Sequence, residues 1–190
     1  MHKQRWQLKQ VVLMAVLAVV FGGVFILADS LYTIVAALLT PFGLVAFANE
    51  ALFGLWIMAG PVIAMLIKRP GSAVIGEILS AVAEVLYGSM FGPAAIISGL
   101  IQGGGSELGF LATGYKRYDW LSLSYAGIGT TVLSFAYEYN KLGYQIYPLV
   151  TVVLLFLTRL LSVFVFGVVL TMLIVKLYDR VNVLAAANRS

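Results

Sequence analysis

Residues 72–87 read SAVIGEILSAVAEVLY, and the stretch is apolar or small throughout except for Glu77 and Glu84. Seven residues apart, the two carboxylates share one face of a helix, and Tyr87 continues it. An ionisable side chain in hydrocarbon costs several kcal/mol, so it is rare unless it faces a cavity, a partner charge or a ligand. Glu107 is a third acid in an apolar setting. Three such placements predict an all-α membrane protein with a polar interior.

Composition agrees. The 190 residues are 62% hydrophobic and 11% charged, with a mean hydropathy of +1.00, in the range of polytopic membrane proteins. Cysteine is missing, which removes disulfides, thiolate metal sites and cysteine nucleophiles. The one histidine is His2 in the N-terminal tail, so no metal site is expected. A net charge of +4 would suggest nucleic acid in a soluble protein. Here the placement of the charges decides, and no nucleic-acid partner is expected.

Lys3, Arg5 and Lys9 precede the first apolar run. Lys68–Arg69, Lys116–Arg117 and Lys176, Arg180 and Arg189 each follow a later one. Putting all four clusters in the cytoplasm requires six spans, near 11–29, 51–67, 72–90, 94–115, 120–138 and 146–176. Both termini are then cytoplasmic. The run 31–48 is interrupted by Thr40-Pro41-Phe42-Gly43, leaving pieces too short for a core that needs roughly 20 residues. It is expected as an apolar external loop or short helix between helices 1 and 2. Residues 1–190 read as a single integral-membrane domain, without repeat or linker. No G-x-x-x-x-G-K-S/T motif occurs, so ATP would be used only by partners.

Depth, at about 1.5 Å per residue from the basic anchors, puts Trp56, Glu84, Gln102 and Arg159 in one outer layer. Glu77 and Glu107 lie lower. Arg159 and Glu84 could form a structural ion pair or part of a site. Trp56 and Tyr87 could pack or stack on a ring. Gly103-Gly104-Gly105 either loosens its helix or admits a close neighbour. Tyr137, Glu138 and Asn140 are expected at the external rim. Acids, an amide and aromatics at similar depth suit a small, flat, polar or cationic ligand. In the first helix Ala18-x-x-x-Gly22 offers a small-residue strip for close helix packing, within the chain or against another subunit.

The segments Lys68-Arg69-Pro70-Gly71, Gly76-Glu77 and Glu84-Val85-Leu86-Tyr87-Gly88 resemble those of the S components of energy-coupling factor (ECF) vitamin transporters. So, above all, does Leu100-Ile101-Gln102-Gly103-Gly104-Gly105-Ser106-Glu107-Leu108-Gly109-Phe110. Within that group the similarity is to the thiamine/hydroxymethylpyrimidine type. The resemblance implies a non-enzymatic subunit of the bacterial plasma membrane that binds no cofactor itself. It would capture thiamine or its pyrimidine precursor outside and work with a transmembrane coupling subunit and ATP-binding-cassette ATPases. Docking on the coupling subunit would use Ala18 and Gly22. Glu84 and Gln102 would hold the aminopyrimidine and Trp56 and Tyr87 would stack. Glu107 and Glu77 would balance a thiazolium charge. The alternative is a proton-coupled secondary transporter with Glu77 and Glu107 as relay. An enzyme is disfavoured, because no metal-ligand spacing, Ser/His pair or nucleophile motif is present.

Overall fold

Hydrophobic runs of this length cannot be satisfied as open sheet in lipid, whereas helices bond their backbone internally. The computed structural model describes residues 6–187, and among these it is helical with no strand. The helices are α1 (Leu8–Leu39), α2 (Val45–Trp56), α3 (Ala59–Ile67), α4 (Ser72–Leu86), α5 (Ala94–Ala112), α6 (Trp120–Lys141), α7 (Leu149–Ser162) and α8 (Thr171–Ala187). A π-helical stretch, Val163–Leu170, joins α7 to α8. Lys3, Arg5 and Arg189, counted above with the cytoplasmic charges, lie outside the described residues.

Among the described residues, three stretches are long and apolar enough to cross a membrane: Leu8–Phe42, Val45–Ile67 and Leu149–Asn182. The first corrects the expected apolar loop. Residues 31–39 prolong α1, which reaches about 48 Å at 1.5 Å per residue, beyond a hydrocarbon core of about 30 Å. Pro41 does break the helix, but into a short 3₁₀ turn, Thr40–Phe42, closed by Gly43 at φ 68°. Residues from Val45 onward already belong to α2.

Pro61 explains the second interruption. It has no N–H, and its ring crowds the carbonyl four residues earlier, at Ile57, where α2 gives way to α3. The Gly103–Gly105 run, by contrast, stays α-helical. A Cβ at Gly105 would come within 2.5 Å of the Thr130 Cα, and one at Gly109 within 2.0 Å of the Ala126 nitrogen. The glycines therefore let the α5 and α6 backbones touch, as small residues do in lipid.

Packing closes a ring. Helix α1 lies on α2 and α4, α4 on α5, α5 on α6, α6 against the π stretch, and α7 back on α2. Helix α3 is buried at the centre along nearly its whole length. Polarity is inverted relative to a water-soluble bundle. Glu50, Glu77, Glu84, Gln102 and Arg159 are buried, while Val12, Val16, Val20, Leu149, Val150 and Leu161 face outward.

Ala18 and Gly22 lie inside this packing, which corrects their expected role in docking. Both are buried, and a Cβ at Gly22 would stand 2.6 Å from that of Ala83. The strip is occupied by α4.

Candidate functional site: a cavity between two acidic walls

One end of the ring is hollow. The cavity has about 110 Å³ of interior open to a water-sized sphere, within about 620 Å³ of empty space that includes its open mouth. It opens where α4 leads to α5 and where α6 ends, opposite the turns that carry Lys68–Arg69 and Lys116–Arg117. Of the residues singled out in the sequence, Trp56, Glu84, Gln102 and Glu138 line it.

The first wall is built by α1, α2 and α4. Asp29, buried on α1, accepts from the Trp56 indole Nε1 at 2.9 Å. Ser89, in the turn after α4, lies 2.7 Å from Asp29 Oδ2 and 2.8 Å from Glu84 Oε1. That turn also delivers Phe91, whose ring centroid is 5.7 Å from Trp56 and 5.9 Å from Tyr32.

Across the cavity α2, α6 and α7 hold a buried ion network. Arg159 forks onto Glu50 through Nε and Nη2, and Nη2 also donates to Glu138. Asn49 donates to both glutamates, at 3.1 and 3.2 Å, and the Tyr144 hydroxyl donates to Glu50. The guanidinium lies 3.8 Å from the Phe53 ring centroid. Arg159 thus pairs with Glu50 and Glu138, not with Glu84, and does not itself line the cavity. Two carboxylates share one guanidinium. Lys141 stands at the same cavity.

Gln102 is distinct. It is 6% exposed. Its backbone carbonyl accepts from Thr130 at 3.1 Å, while its side-chain amide makes no hydrogen bond among the described residues. A primary amide has two donors and an acceptor, and here the amide atoms open onto the cavity, where water or a ligand can reach them.

The other expected ligands are elsewhere. Glu107 accepts from the Gly71 and Ala73 backbone N–H groups, so it caps the first turn of α4, a favourable place for a negative charge. Glu77 accepts from the Gly60 N–H beside the α2–α3 break, and its Oε1 is buried without a partner among the described residues. Tyr87 lies half outside, its hydroxyl bonded to the Val19 carbonyl. Glu138 is buried in the ion network rather than at a rim, whereas Asn140 is exposed and Tyr137 stacks near Lys141. Asp29, Asn49, Glu50, Phe53, Ser89 and Phe91 were not anticipated. Asp29 had a readable signal: residues 18, 22, 25 and 29 follow helical spacing and are all buried.

A ring of helices with an apolar exterior, buried charge and a hollow at one end has the form of a membrane subunit, and comparison with known proteins identifies its family. Residues 9–133 match the family model described as "ABC-type cobalt transport system, permease component". A solved chain titled "Crystal structure of an S-component of ECF transporter" superposes with a TM-score of 0.87 at 31% identity, covering 96% of this chain and 90% of that one. The chain belongs to the S components of ECF transporters, which are non-catalytic subunits. It is 34% identical over 157 residues to the protein named "Putative HMP/thiamine permease protein YkoE" of Bacillus subtilis (strain 168), covering 83% of this chain and 76% of that protein.

Proposed function

We propose that this S component binds thiamine or its hydroxymethylpyrimidine precursor in the cavity between Glu84 and Glu138. The single observation that carries the reading is the Gln102 amide, free of side-chain hydrogen bonds among the described residues and open to the cavity that Glu84 also lines. An aminopyrimidine presents adjacent donor and acceptor edges. The Gln102 amide offers the complementary pair, and the Glu84 carboxylate accepts from an exocyclic amine. Trp56, Phe53 and Phe91 supply aromatic surface for a flat ring. The Phe53 and Trp56 ring faces also suit a thiazolium cation. The name of the Bacillus relative supports the same ligand class. The cobalt of the family description is not carried over, because among the described residues no three Asp, Glu, His or Cys side chains stand close enough to hold a metal ion.

The six columns α1, α2–α3, α4, α5, α6 and α7–α8 would cross the bacterial plasma membrane with both termini in the cytoplasm, one domain from residue 1 to 190. The cavity then faces outward, since the basic turns lie at the other end. The chain binds no cofactor of its own. Transport would require a transmembrane coupling subunit and ATPases that consume the ATP. A relay through Glu77 and Glu107 is disfavoured by the caps both carboxylates provide.

Titration of purified chain with thiamine and with hydroxymethylpyrimidine, by calorimetry, tests the reading. Saturable binding that weakens by about 1–3 kcal/mol in Glu84→Ala, as expected for a buried polar contact, supports it. No binding of either compound, or wild-type affinity in the variant, overturns it.

A further inference from the structure

The Ser89 hydroxyl has one hydrogen to donate and room to accept two. Its oxygen already accepts from the Phe91 backbone N–H at 3.2 Å, and it lies within hydrogen-bond distance of two carboxylates, Asp29 and Glu84. It can donate to only one of them. The other contact closes only if that carboxyl carries a hydrogen and donates to Ser89. Asp29 Oδ1 is taken by the Trp56 indole N–H, so both short contacts close together only with one carboxyl hydrogen between the two acids. Asp29 and Glu84 are 5% and 3% exposed, where two adjacent uncompensated negative charges are costly.

We propose that capture of a cationic ligand at this cavity expels one proton from the Asp29–Ser89–Glu84 array. The inference rests on the thiamine reading above and adds its coupling to pH. In the empty protein the proton balances one of the two carboxylates. With the aminopyrimidine amine donating to Glu84 and the thiazolium in the same cavity, the ligand supplies the missing hydrogen bond and positive charge, so the carboxyl O–H bond breaks, its electron pair stays on oxygen, and the proton passes through the open mouth to water. The Gln102 amide opens onto the same cavity that Glu84 lines.

Other charged groups facing the array do not replace this role. On α6, Glu138 is neutralised through Arg159, and Lys141 lines the same cavity. On α2, Glu50 is bound by Arg159, and Trp56 faces the array without a charge. Helix α5 contributes neutral Gln102. On α1, Tyr32 meets the array only through the Trp56 ring. On α4 itself, Glu77 is two turns away and bonded to Gly60.

Because the empty form holds the extra proton and the filled form does not, affinity must rise with pH. The rise is about tenfold per pH unit while the empty array is protonated, and it levels off once that proton is lost without ligand. Calorimetry of thiamine binding to the full-length chain in detergent, at one pH on the rising limb and in buffers of different ionisation enthalpy, counts the protons directly. One proton released is expected. In Asp29→Asn the amide oxygen still accepts from Trp56, and its NH₂ donates to Ser89 without an added proton. The proton count should therefore fall to zero at whatever affinity remains. Thiamine binding with an enthalpy independent of buffer in the wild type, or one proton still released by Asp29→Asn, would overturn the proposal alone. Absence of thiamine binding would instead overturn the proposed function and this inference with it.

Discussion

Arg159 holds two glutamates with one guanidinium at zero exposure, and the arrangement is asymmetric in its energetics. Forming such a network gains little over apolar packing, but removing one partner strands buried charge, at about 3–5 kcal/mol. Arg159→Met should therefore lower the unfolding midpoint markedly in detergent. Arg159→Lys should recover only part, since an ammonium cannot fork across Glu50. At the cavity, Gln102→Ala removes a ligand contact without breaking any side-chain bond in the empty protein. It should weaken thiamine binding by about 1–3 kcal/mol and leave thermal stability near wild type. Tyr87→Phe should leave affinity unchanged, because the ring lies outside the cavity. Depth along the helices was enough to bring Trp56, Glu84 and Gln102 together from sequence. It failed for Glu107, whose carboxylate answers to backbone N–H groups of another helix, a partner that no side-chain pattern reveals.

At the scale of elements, the boundaries of α1 and α2 governed what could be read. Read from sequence, the first span ends at residue 29 and the run 31–48, broken at Pro41, lies outside the spans, so Asp29 falls at an edge and Glu50 outside a span. In the structure α1 runs ten residues further, to Leu39, before Pro41 turns the chain. Glu50 then enters the bundle on α2 as the principal partner of Arg159. The glycines of α5 were ambiguous in sequence because close approach and loosened backbone use the same residue. Packing resolves them: Gly109→Val would drive a side chain into the α6 backbone at Ala126, where no rotamer change relieves it. Destabilisation of at least about 1–3 kcal/mol is expected, measured by thermal unfolding, while Gly104→Ala, with open space at its Cβ, should be tolerated.

Across the whole molecule the design is a lipid-facing apolar exterior around a charged interior, with its hollow at one end and its basic turns at the other. That the Lys68–Arg69 and Lys116–Arg117 turns share one end was legible from the spacing of Lys and Arg. The cavity was less so, because its walls come from five helices and from the short turn that carries Ser89 and Phe91. A subunit of this kind should bind ligand alone but accumulate it in vesicles only with coupling subunit, ATPases and ATP. Uptake by the chain alone, abolished by collapsing a proton gradient, would favour the secondary transporter instead. The most direct test is mass spectrometry of small molecules released from gently purified protein, comparing the wild type with Ala95→Trp, which fills the cavity from α5. Thiamine or its pyrimidine precursor released by the wild type and missing from the folded variant is the expected result. Release of neither compound from the wild type after loading with both, or equal release from the two proteins, would contradict a ligand site between Glu84 and Glu138.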